Sequence, residues 1–454
     1  MIKTKLFDGK ITTYQAIITG AWYANLLVIL YIWAATSATL ITDGGLGGIA
    51  LAFGRLFGLL AAYFALTQFL LMGRVLWIER AFGLDHLASY HRFNGYAAIY
   101  SILIHAQLVI LGYALSSKTN FFSQYAEVIK NYSYVAWAAV ASILFLIVVA
   151  SSIYIVRRKL KFETWYYVHL IVYAAIILAF FHQLAVGGSF LQLEWARTYW
   201  YVLYAFVAFN VLFWRFGLPI INLLRYGFTV SRVEKETDTT TSIYISGRRL
   251  NSLPVKAGQY VLVRFLGKGF ITQEHPFSLS AVPENNTFRL TIKNIGDYTS
   301  VIPELKVGTK VLVSGPFGRF TSDVAQTDKR LFLAGGVGIT PVRTLIEEAL
   351  AAGKDCVLLY ANRNQNDVIF MGELGDLKQK GLKLVSVFSN PAPNFKGESG
   401  YIDSERIQRL VPNFAEHDVY VCGPQLMMDG IVTALRNTNL PADQLHFERF
   451  ALHN

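Results

Sequence analysis

His91-Arg92-Phe93-Asn94-Gly95-Tyr96-Ala97-Ala98-Ile99-Tyr100-Ser101-Ile102-Leu103-Ile104-His105 runs fourteen residues from one histidine to the next, with Arg92 as its one fixed charge. A second stretch, His169-Leu170-Ile171-Val172-Tyr173-Ala174-Ala175-Ile176-Ile177-Leu178-Ala179-Phe180-Phe181-His182, repeats the arrangement at thirteen residues with no fixed charge. An ionisable side chain in hydrocarbon is costly and needs a partner. At ~1.5 Å rise per residue the two histidines of each helix stand ~20 Å apart, most of a ~30 Å hydrocarbon core, so one pair lies near each face. Fourteen residues at ~100° each return His105 to within ~40° of His91, whereas thirteen leave His182 ~140° from His169 on an ideal helix. The second helix is therefore expected to be over- or underwound, or tilt and side-chain reach make up the difference, although 170–181 holds no Gly or Pro. For any single membrane histidine the plain alternative is a hydrogen bond to a neighbouring carbonyl. Four in two matched pairs favour iron: neutral imidazole is a common iron ligand, and two per haem give a six-coordinate, electron-transferring centre. His86, outside the pairing, reads as an interfacial surface residue.

The 454-residue chain is 54% hydrophobic, with its apolar mass concentrated before Phe216. Six runs with few or no charges, 14–41, 48–77, 91–115, 132–156, 165–186 and 198–214, are each long enough to span a bilayer. The first is too long for the apolar core of a signal peptide and reads as a retained helix. Lys3, Lys5 and Lys10 precede it; Arg74, Arg80 and Arg92 bracket the second loop, and Arg157, Arg158, Lys159 and Lys161 fill the fourth. The alternate loops carry few cations, so six spans with both termini cytoplasmic are expected. The net charge of +11 then reflects positive-inside bias and phosphate-binding surface rather than nucleic-acid binding. Cys356 and Cys422 both fall in the cytoplasmic half, where no disulfide is expected.

After Leu218 the pattern changes to short alternating strands punctuated by Gly, Pro and Asn, which predicts a small antiparallel β-barrel of about 100 residues. From about Lys329 it becomes strand, Gly-rich turn, helix and strand, the pattern of an α/β nucleotide-binding unit. Three motifs carry chemistry there. His275, Pro276, Phe277 and Ser278 open a strand with an aromatic ring and a hydroxyl where a flavin ring can be held; the plain alternative is strand packing. Lys293, Gly296 and Thr299 follow another strand and open a short helix able to receive a pyrophosphate, or else form an ordinary capped turn. Gly335, Gly336, Gly338, Ile339, Thr340 and Pro341 lie directly after an apolar strand and before a helix, where glycines admit a diphosphate to the backbone and the helix N-terminus attracts it. Cys422, Gly423 and Pro424 end another apolar strand at the same carboxyl edge, either as a second nucleotide contact or as a simple turn.

In this order the histidine pairs, His-Pro-Phe-Ser, Lys-x-x-Gly-x-x-Thr, Gly-Gly-x-Gly-Ile-Thr-Pro and Cys-Gly-Pro resemble the ferric reductase and NADPH oxidase superfamily over nearly the whole chain. The resemblance implies a multi-domain membrane protein. A six-helix transmembrane di-haem bundle over 1–217 would be followed by an antiparallel β-barrel FAD domain over 218–325 and an α/β NAD(P)H-binding domain over 326–454, both ferredoxin-reductase-like. It implies that His91 and His169 bind the inner of two b-type haems, and His105 and His182 the outer. His275, Pro276, Phe277 and Ser278 would hold the flavin ring and ribityl region, and Lys293, Gly296 and Thr299 the FAD diphosphate. The segments 335–341 and 422–424 would receive the nicotinamide nucleotide. Phe450 would match the family's terminal aromatic ring, which lies against the flavin until nicotinamide displaces it, although Ala451, Leu452, His453 and Asn454 extend beyond it here. Arg55 and Arg74 match arginines that approach haem propionates, with snorkelling as their plain alternative. Arg363 would meet the 2′-phosphate of NADPH, or else is a solvated loop charge, leaving NADPH preferred to NADH.

The implied activity is electron transfer from cytoplasmic NAD(P)H through FAD and two haems to an acceptor across the bilayer. The fourteen-then-thirteen spacing resembles oxidases that reduce O2 to superoxide, since yeast-type ferric reductases tend to have fourteen in both helices. Against this, the position four after His105 is Val109, where family oxidases carry a further histidine. Reduction of ferric iron is the alternative acceptor reaction, and a third reading makes the chain an electron-donating subunit for a partner protein.

Overall fold

The computed structural model describes residues 12–132, 134–153, 156, 159–160, 162–267, 269–271 and 273–448. It forms two compact units, one built on Thr13–Ile78 and His86–Phe213, the other on Glu79–Asp85 and Trp214–His453. Lys3, Lys5, Lys10, Arg157, Arg158, Lys161 and Phe450, singled out above, lie outside the described residues.

The helices of the first part of the chain are α1 (Thr13–Asp43), α2 (Gly45–Met72), α3 (Leu76–Phe82), α4 (Leu84–Ser117), α5 (Phe121–Asn131), α6 (Val135–Ser152), α7 (Phe162–Leu170), α8 (Val172–Val186), α9 (Gly188–Gln192), α10 (Glu194–Leu212) and α11 (Leu218–Tyr226). Among the described residues six helical stretches are long and apolar enough to cross a membrane: Thr13–Asp43, Gly45–Met72, His86–Ser117, Val135–Ser152, Thr164–Val186 and Glu194–Tyr226. Their outward faces are apolar, with Leu27, Ile143, Ile177 and Phe209 exposed, as a lipid-facing surface requires. Inside, Ile29, Ile32, Leu59, Tyr63, Leu66, Trp200 and Val207 form a core joining α1, α2 and α10. Glycines bring α2 and α4 together: a Cβ on Gly54 would stand 3.1 Å from the Val109 backbone nitrogen, and one on Gly112 2.9 Å from the Gly47 carbonyl oxygen. This close approach of backbones is the usual substitute in lipid for a hydrophobic driving force. The helix expected over 165–186 is two helices, α7 and α8, parted at Ile171, whose N–H bonds the Val168 carbonyl at 3.2 Å, an i to i−3 turn. Such a turn advances ~120° per residue and recovers at most ~60° of the ~140° shortfall, so reach and tilt supply the rest.

The other unit begins its sheets with β1 (Thr229–Thr237), β2 (Thr240–Ser246), β3 (Tyr260–Phe265), β4 (His275–Glu284), β5 (Thr287–Lys293) and β6 (Val311–Phe317). These form one sheet in the order β1-β2-β5-β4-β3-β6, each pair antiparallel. The expected barrel is corrected here: the sheet is not closed. β1 meets the approach to β6 at the isolated bridge Thr229–Lys310 and in the backbone bonds around it, such as Gly308 N–H to the Val230 carbonyl at 2.7 Å, so the curled sheet wraps a core of Phe228, Ile243, Val263, Leu279, Phe288 and Leu290 without a continuous ladder between its edge strands.

Within this sheet's span lies the short helix α12 (Asp297–Ser300). Beyond it come β7 (Lys329–Gly335), α13 (Ile339–Ala351), β8 (Asp355–Asn362), α14 (Met371–Gln379), β9 (Lys383–Phe388), β10 (Glu398–Ser399), α15 (Ser404–Leu410), β11 (Asp418–Cys422), α16 (Gln425–Arg436) and β12 (Leu445–Phe447). The strands make a parallel sheet ordered β10-β9-β8-β7-β11-β12. Alternation divides β7 and β11 between two layers: Phe332, Ala334, Tyr420 and Cys422 face α13 and α14, while Leu331, Leu333, Val419 and Val421 face α15 and α16. Chain order runs outward from β7 to β10 and then returns to β11 beside β7. The crevice at the carboxyl ends of β7 and β11 is thus the topological switch point, where open α/β sheets bind ligands.

Candidate functional site

In the membrane unit the histidines meet in the pairs their spacing predicts. The rings of His91 on α4 and His169 at the end of α7 have centroids 6.1 Å apart at 54°, and those of His105 on α4 and His182 on α8 are 6.4 Å apart at 62°. A metal–imidazole bond of ~2.0 Å plus ~1.1 Å from nitrogen to ring centre, counted on both sides, gives ~6.2 Å. Both gaps therefore fit a metal held between two imidazoles. Among the described residues no group of three or more His, Cys, Asp or Glu converges, so each centre offers two protein ligands, the number an iron already held by a macrocycle needs. The far nitrogens agree. His105 Nδ1 lies 2.8 Å from the Gly54 carbonyl oxygen, and His169 Nδ1 3.4 Å from Ser152 Oγ, which also receives the Trp165 indole N–H at 3.3 Å. Nδ1 of His182 is buried with no hydrogen-bond partner among the described residues, and His91 lies against the Gln68 backbone. Arg55, in the third turn of α2, donates to the Thr36 carbonyl at 3.1 Å and lies against Gly188, whose Cβ would come 2.8 Å from the guanidinium carbon. Arg74 is not in α2, which ends at Met72; it follows in a left-handed conformation at φ 59°.

In the other unit β4 places His275 and Phe277 on alternate registers opposite Val263 and Val261 of β3. The His275 ring stacks on Tyr298, centroids 3.8 Å apart, and burial holds its pKa below the usual imidazole value. Phe277 is half-buried against the sheet's core, while Pro276 and Ser278 occupy the intervening positions. After β5, Thr299 Oγ accepts the N–H groups of Ile295 at 2.9 Å and Gly296 at 3.0 Å, pinning the turn that carries Lys293 and leaves Ile295 exposed. The Lys293 ammonium reaches the next motif, standing 4.0 Å from where a Gly336 Cβ would be.

The two glycine-bearing edges interlock. A Cβ on Gly338 would stand 2.3 Å from the Cys422 carbonyl oxygen, and one on Gly423 3.1 Å from Gly335 Cα. Gly336 takes a positive φ of 51°, and its carbonyl receives the Tyr360 hydroxyl at 3.1 Å. Thr340 Oγ donates to the Val337 carbonyl at 2.9 Å, and Ile339 and Pro341 are buried in the first turn of α13. Cys422 Sγ is buried, and desolvation pushes its thiol pKa up, with the Glu448 carboxylate adding to the rise. The Gly423 backbone and the Pro424 ring flank Gly335, whose Cβ would stand 2.9 Å from Pro424 Cδ. Arg363 is exposed immediately after β8.

Sequence reasoning missed the polar ties around these edges. Arg289 on β5, buried within its sheet, donates to Glu373 Oε1 at 2.5 Å and Oε2 at 3.0 Å on α14, and to Ser280 Oγ at 3.1 Å. Arg343 on α13 bonds the same carboxylate and the Ser280 carbonyl. An arginine inside the alternating apolar strand 288–292 is the available signal, but its partner lies 84 residues away. Gly318 is a second node: its N–H donates to Glu79 Oε1 at 2.9 Å, and its left-handed φ of 99° leaves the space in which the Glu448 carboxylate sits.

Comparison with known families matches a ferric reductase like transmembrane component to residues 57–180, an FAD-binding domain to 227–321 and an oxidoreductase NAD-binding domain to 332–433. By this architecture the chain belongs to the ferric reductase and NADPH oxidase superfamily. The chain thus joins a membrane component to FAD-binding and oxidoreductase NAD-binding domains. The flavohemoprotein of Candida albicans is 32% identical over 235 residues, covering 48% of this chain and 58% of that one. The ferredoxin reductase component of 3-ketosteroid-9-alpha-monooxygenase from Mycolicibacterium smegmatis is 30% identical over 230 residues, covering 48% and 63%. The chain thus spans less than two thirds of the length of these curated relatives. A similar solved structure is the flavohem-like FAD/NAD-binding domain of nitric oxide dioxygenase from Vibrio cholerae, 21% identical with a TM-score of 0.44, covering 49% of this chain and 96% of that one.

Proposed function

We propose that this superfamily member moves electrons from cytoplasmic NAD(P)H through FAD and two bis-histidine b-type haems to an extracytoplasmic acceptor, which is O2, yielding superoxide. The observation that carries the reading is the pair of imidazole gaps, 6.1 and 6.4 Å between ring centres, set thirteen and fourteen residues apart along their helices. In this reading the chain has six spans with both termini cytoplasmic, and divides into a haem domain over 1–217, an FAD domain over 218–325 and an NAD(P)H domain over 326–454.

When bound, FAD accepts the reducing pair of NAD(P)H and haem iron passes it on singly. The residues bind, orient and insulate. His91 and His169 hold the inner haem, and His105 and His182 the outer, with the other nitrogen of His105 and His169 fixed by the Gly54 carbonyl and the Ser152 hydroxyl. Arg55 and Arg74 neutralise haem propionates. His275, Pro276, Phe277 and Ser278 seat the flavin, and Lys293, Gly296 and Thr299 its diphosphate. The glycines of 335–338 and the first turn of α13 receive the nucleotide diphosphate, and 422–424 border the nicotinamide. Arg363 favours NADPH.

Ferric-chelate reduction is the second reading. It is favoured by Val109, which fills with hydrocarbon the position four after His105 and packs on Gly54. Delivery of electrons to a partner protein is the third. The test uses purified protein with FAD and NADPH, following haem reduction and oxygen uptake with and without superoxide dismutase and ferric chelate. A dismutase-sensitive signal unaffected by chelate is expected. Rapid ferrous formation with little oxygen uptake makes the acceptor iron, turnover only with a co-purified protein makes it that partner, and absence of haem reduction overturns the relay.

A further inference from the structure

We propose that Gly58, acting with the Gly54 carbonyl one turn earlier on α2, is a positioning residue that sets the reduction potential of the outer haem through His105. The inference rests on the bis-histidine reading above and assigns regulation of one of its two centres to a helix that supplies no ligand.

Nδ1 of His105 lies 2.8 Å from the Gly54 carbonyl oxygen. A carbonyl only accepts, so the imidazole carries its proton on Nδ1 and presents Nε2 to the gap shared with His182. In a helix the residue four positions on projects over the carbonyl to which its own N–H is bonded. At Gly54 that residue is Gly58, and a Cβ there would stand 2.8 Å from His105 Nδ1 and 2.9 Å from Cε1. The imidazole therefore occupies the space of the missing side chain, and any other residue at 58 pushes the ring off the carbonyl. The neighbouring contact leaves no slack, because a Gly54 Cβ would itself meet Val109 Cγ2 at 2.8 Å and the Val109 backbone nitrogen at 3.1 Å. Such a fit of ring to backbone goes beyond what helix packing needs.

The four histidines differ in this respect. His169 has only the Ser152 hydroxyl at 3.4 Å, and His182, which faces His105, has no hydrogen-bond partner at Nδ1 among the described residues. A hydrogen bond from Nδ1–H to a carbonyl makes the other nitrogen a more basic ligand. A more basic ligand stabilises ferric over ferrous iron, so the device lowers the potential of the outer centre. One-electron reduction of O2 requires a strong reductant at that end, and this is the use of the bond.

The experiment is a spectroelectrochemical titration of full-length Gly58→Ala with its haems. Alanine raises helix propensity by about 1 kcal/mol over glycine, so α2 itself is not weakened. The expected result is two retained haems, one couple unmoved and one shifted positive by about tenfold in its one-electron equilibrium, about 59 mV. A second measurement on the unmodified protein does not depend on the variant folding. Electron–nuclear double resonance after transfer to D2O should find that one ligand Nδ1 proton of the outer haem exchanges far more slowly than the other. Two retained haems with neither couple moved, or the two ligand protons of that haem exchanging alike, overturn this inference and leave the haem reading intact. Absence of bis-histidine haem from the unmodified protein overturns the reading on which it rests.

Discussion

Replacing Gly338 by alanine is the sharpest test of the nucleotide crevice, because everything its methyl group would meet is backbone. The Cβ would stand 2.3 Å from the Cys422 carbonyl oxygen, 2.6 Å from its carbon and 2.7 Å from the Gly423 nitrogen. The conformation of Gly338, φ −61° and ψ −10°, suits alanine, so the cost is steric and not conformational. A comfortable C···O contact is ~3.3 Å, which asks for a displacement of ~1 Å. The strands cannot provide it, since β7 and β11 are in register from Arg330 opposite Asp418 to Ala334 opposite Cys422. The two turns move apart instead, and they form the walls of the switch-point crevice. Overpacking of this kind costs about 1–3 kcal/mol, and a ~1 Å misplacement of reacting partners costs ~100-fold in rate. Anaerobic stopped-flow with saturating NADPH should therefore show flavin reduction slowed by about two orders of magnitude, while dithionite reduces the haems at the unmodified rate. Flavin reduction within about twofold of the parent, with an unchanged melting temperature, would refute the role given to the interlocked turns.

Arg289→Met and Glu373→Gln, alone and together, should show a coupling energy of about 1–2 kcal/mol in thermal unfolding; it is kept below the figure for a wholly buried pair because Glu373 is one-third exposed and keeps Arg343. Additive losses would show that the pair carries no joint stabilisation. Burial works to raise the Asp418 carboxyl pKa, but His446 and the Gln326 and Thr327 amides hold it below the ordinary value. A lowered native pKa gives stability present above the unfolded value of ~3.9 and lost as pH falls through the native one. Asp418→Asn should thus be clearly less stable at neutral pH, with the gap closing below about pH 4; a gap independent of pH would count against the assignment. Cys422 and Cys356 are buried, and desolvation raises both thiols, Cys356 to about 11. Neither should be alkylated by iodoacetamide at pH 8 until the reductase unit unfolds, and rapid native labelling of Cys422 would show that its thiol reaches the crevice.

What the sequence makes legible here is whatever depends on local period. Spacings of fourteen and thirteen residues from one histidine to the next, in stretches whose one fixed charge is Arg92, locate the two imidazole pairs because helical rise converts spacing directly into depth. The glycine turn at 335–338 is legible because it sits between an apolar strand and a helix. The parity of Cys422 was available by the same rule: with Tyr420 it shares one face of β11 and with Val421 it does not, so its thiol turns beneath α13 while its backbone borders the crevice. Barrel closure has no local signature. Alternation yields the six strands, but whether β1 and β6 pair depends on a contact between Thr229 and Lys310, distant in sequence, and there the ladder amounts to one bridge.

The break at Ile171 shows why the thirteen-residue spacing resisted a local account. Pro or Gly would have announced a kink, and Leu170, Ile171 and Val172 announce nothing. The requirement lies across the bundle: His91 and His105 share one face of α4, so any two rings that meet them must share a face as well. A helix whose histidines are thirteen residues apart meets that demand only by leaving ideal geometry between them, and the i to i−3 bond from Ile171 to Val168 begins that departure just after His169. Rotation is thereby added next to the first ring, leaving α8 continuous through His182. An added residue between 172 and 181 would restore fourteen, and its ~100° together with the ~60° of the turn would overshoot the ~140° shortfall by only ~20°, so the insertion should keep His182 facing His105 as well as His169 facing His91, which retention of two bis-histidine haem signals would check.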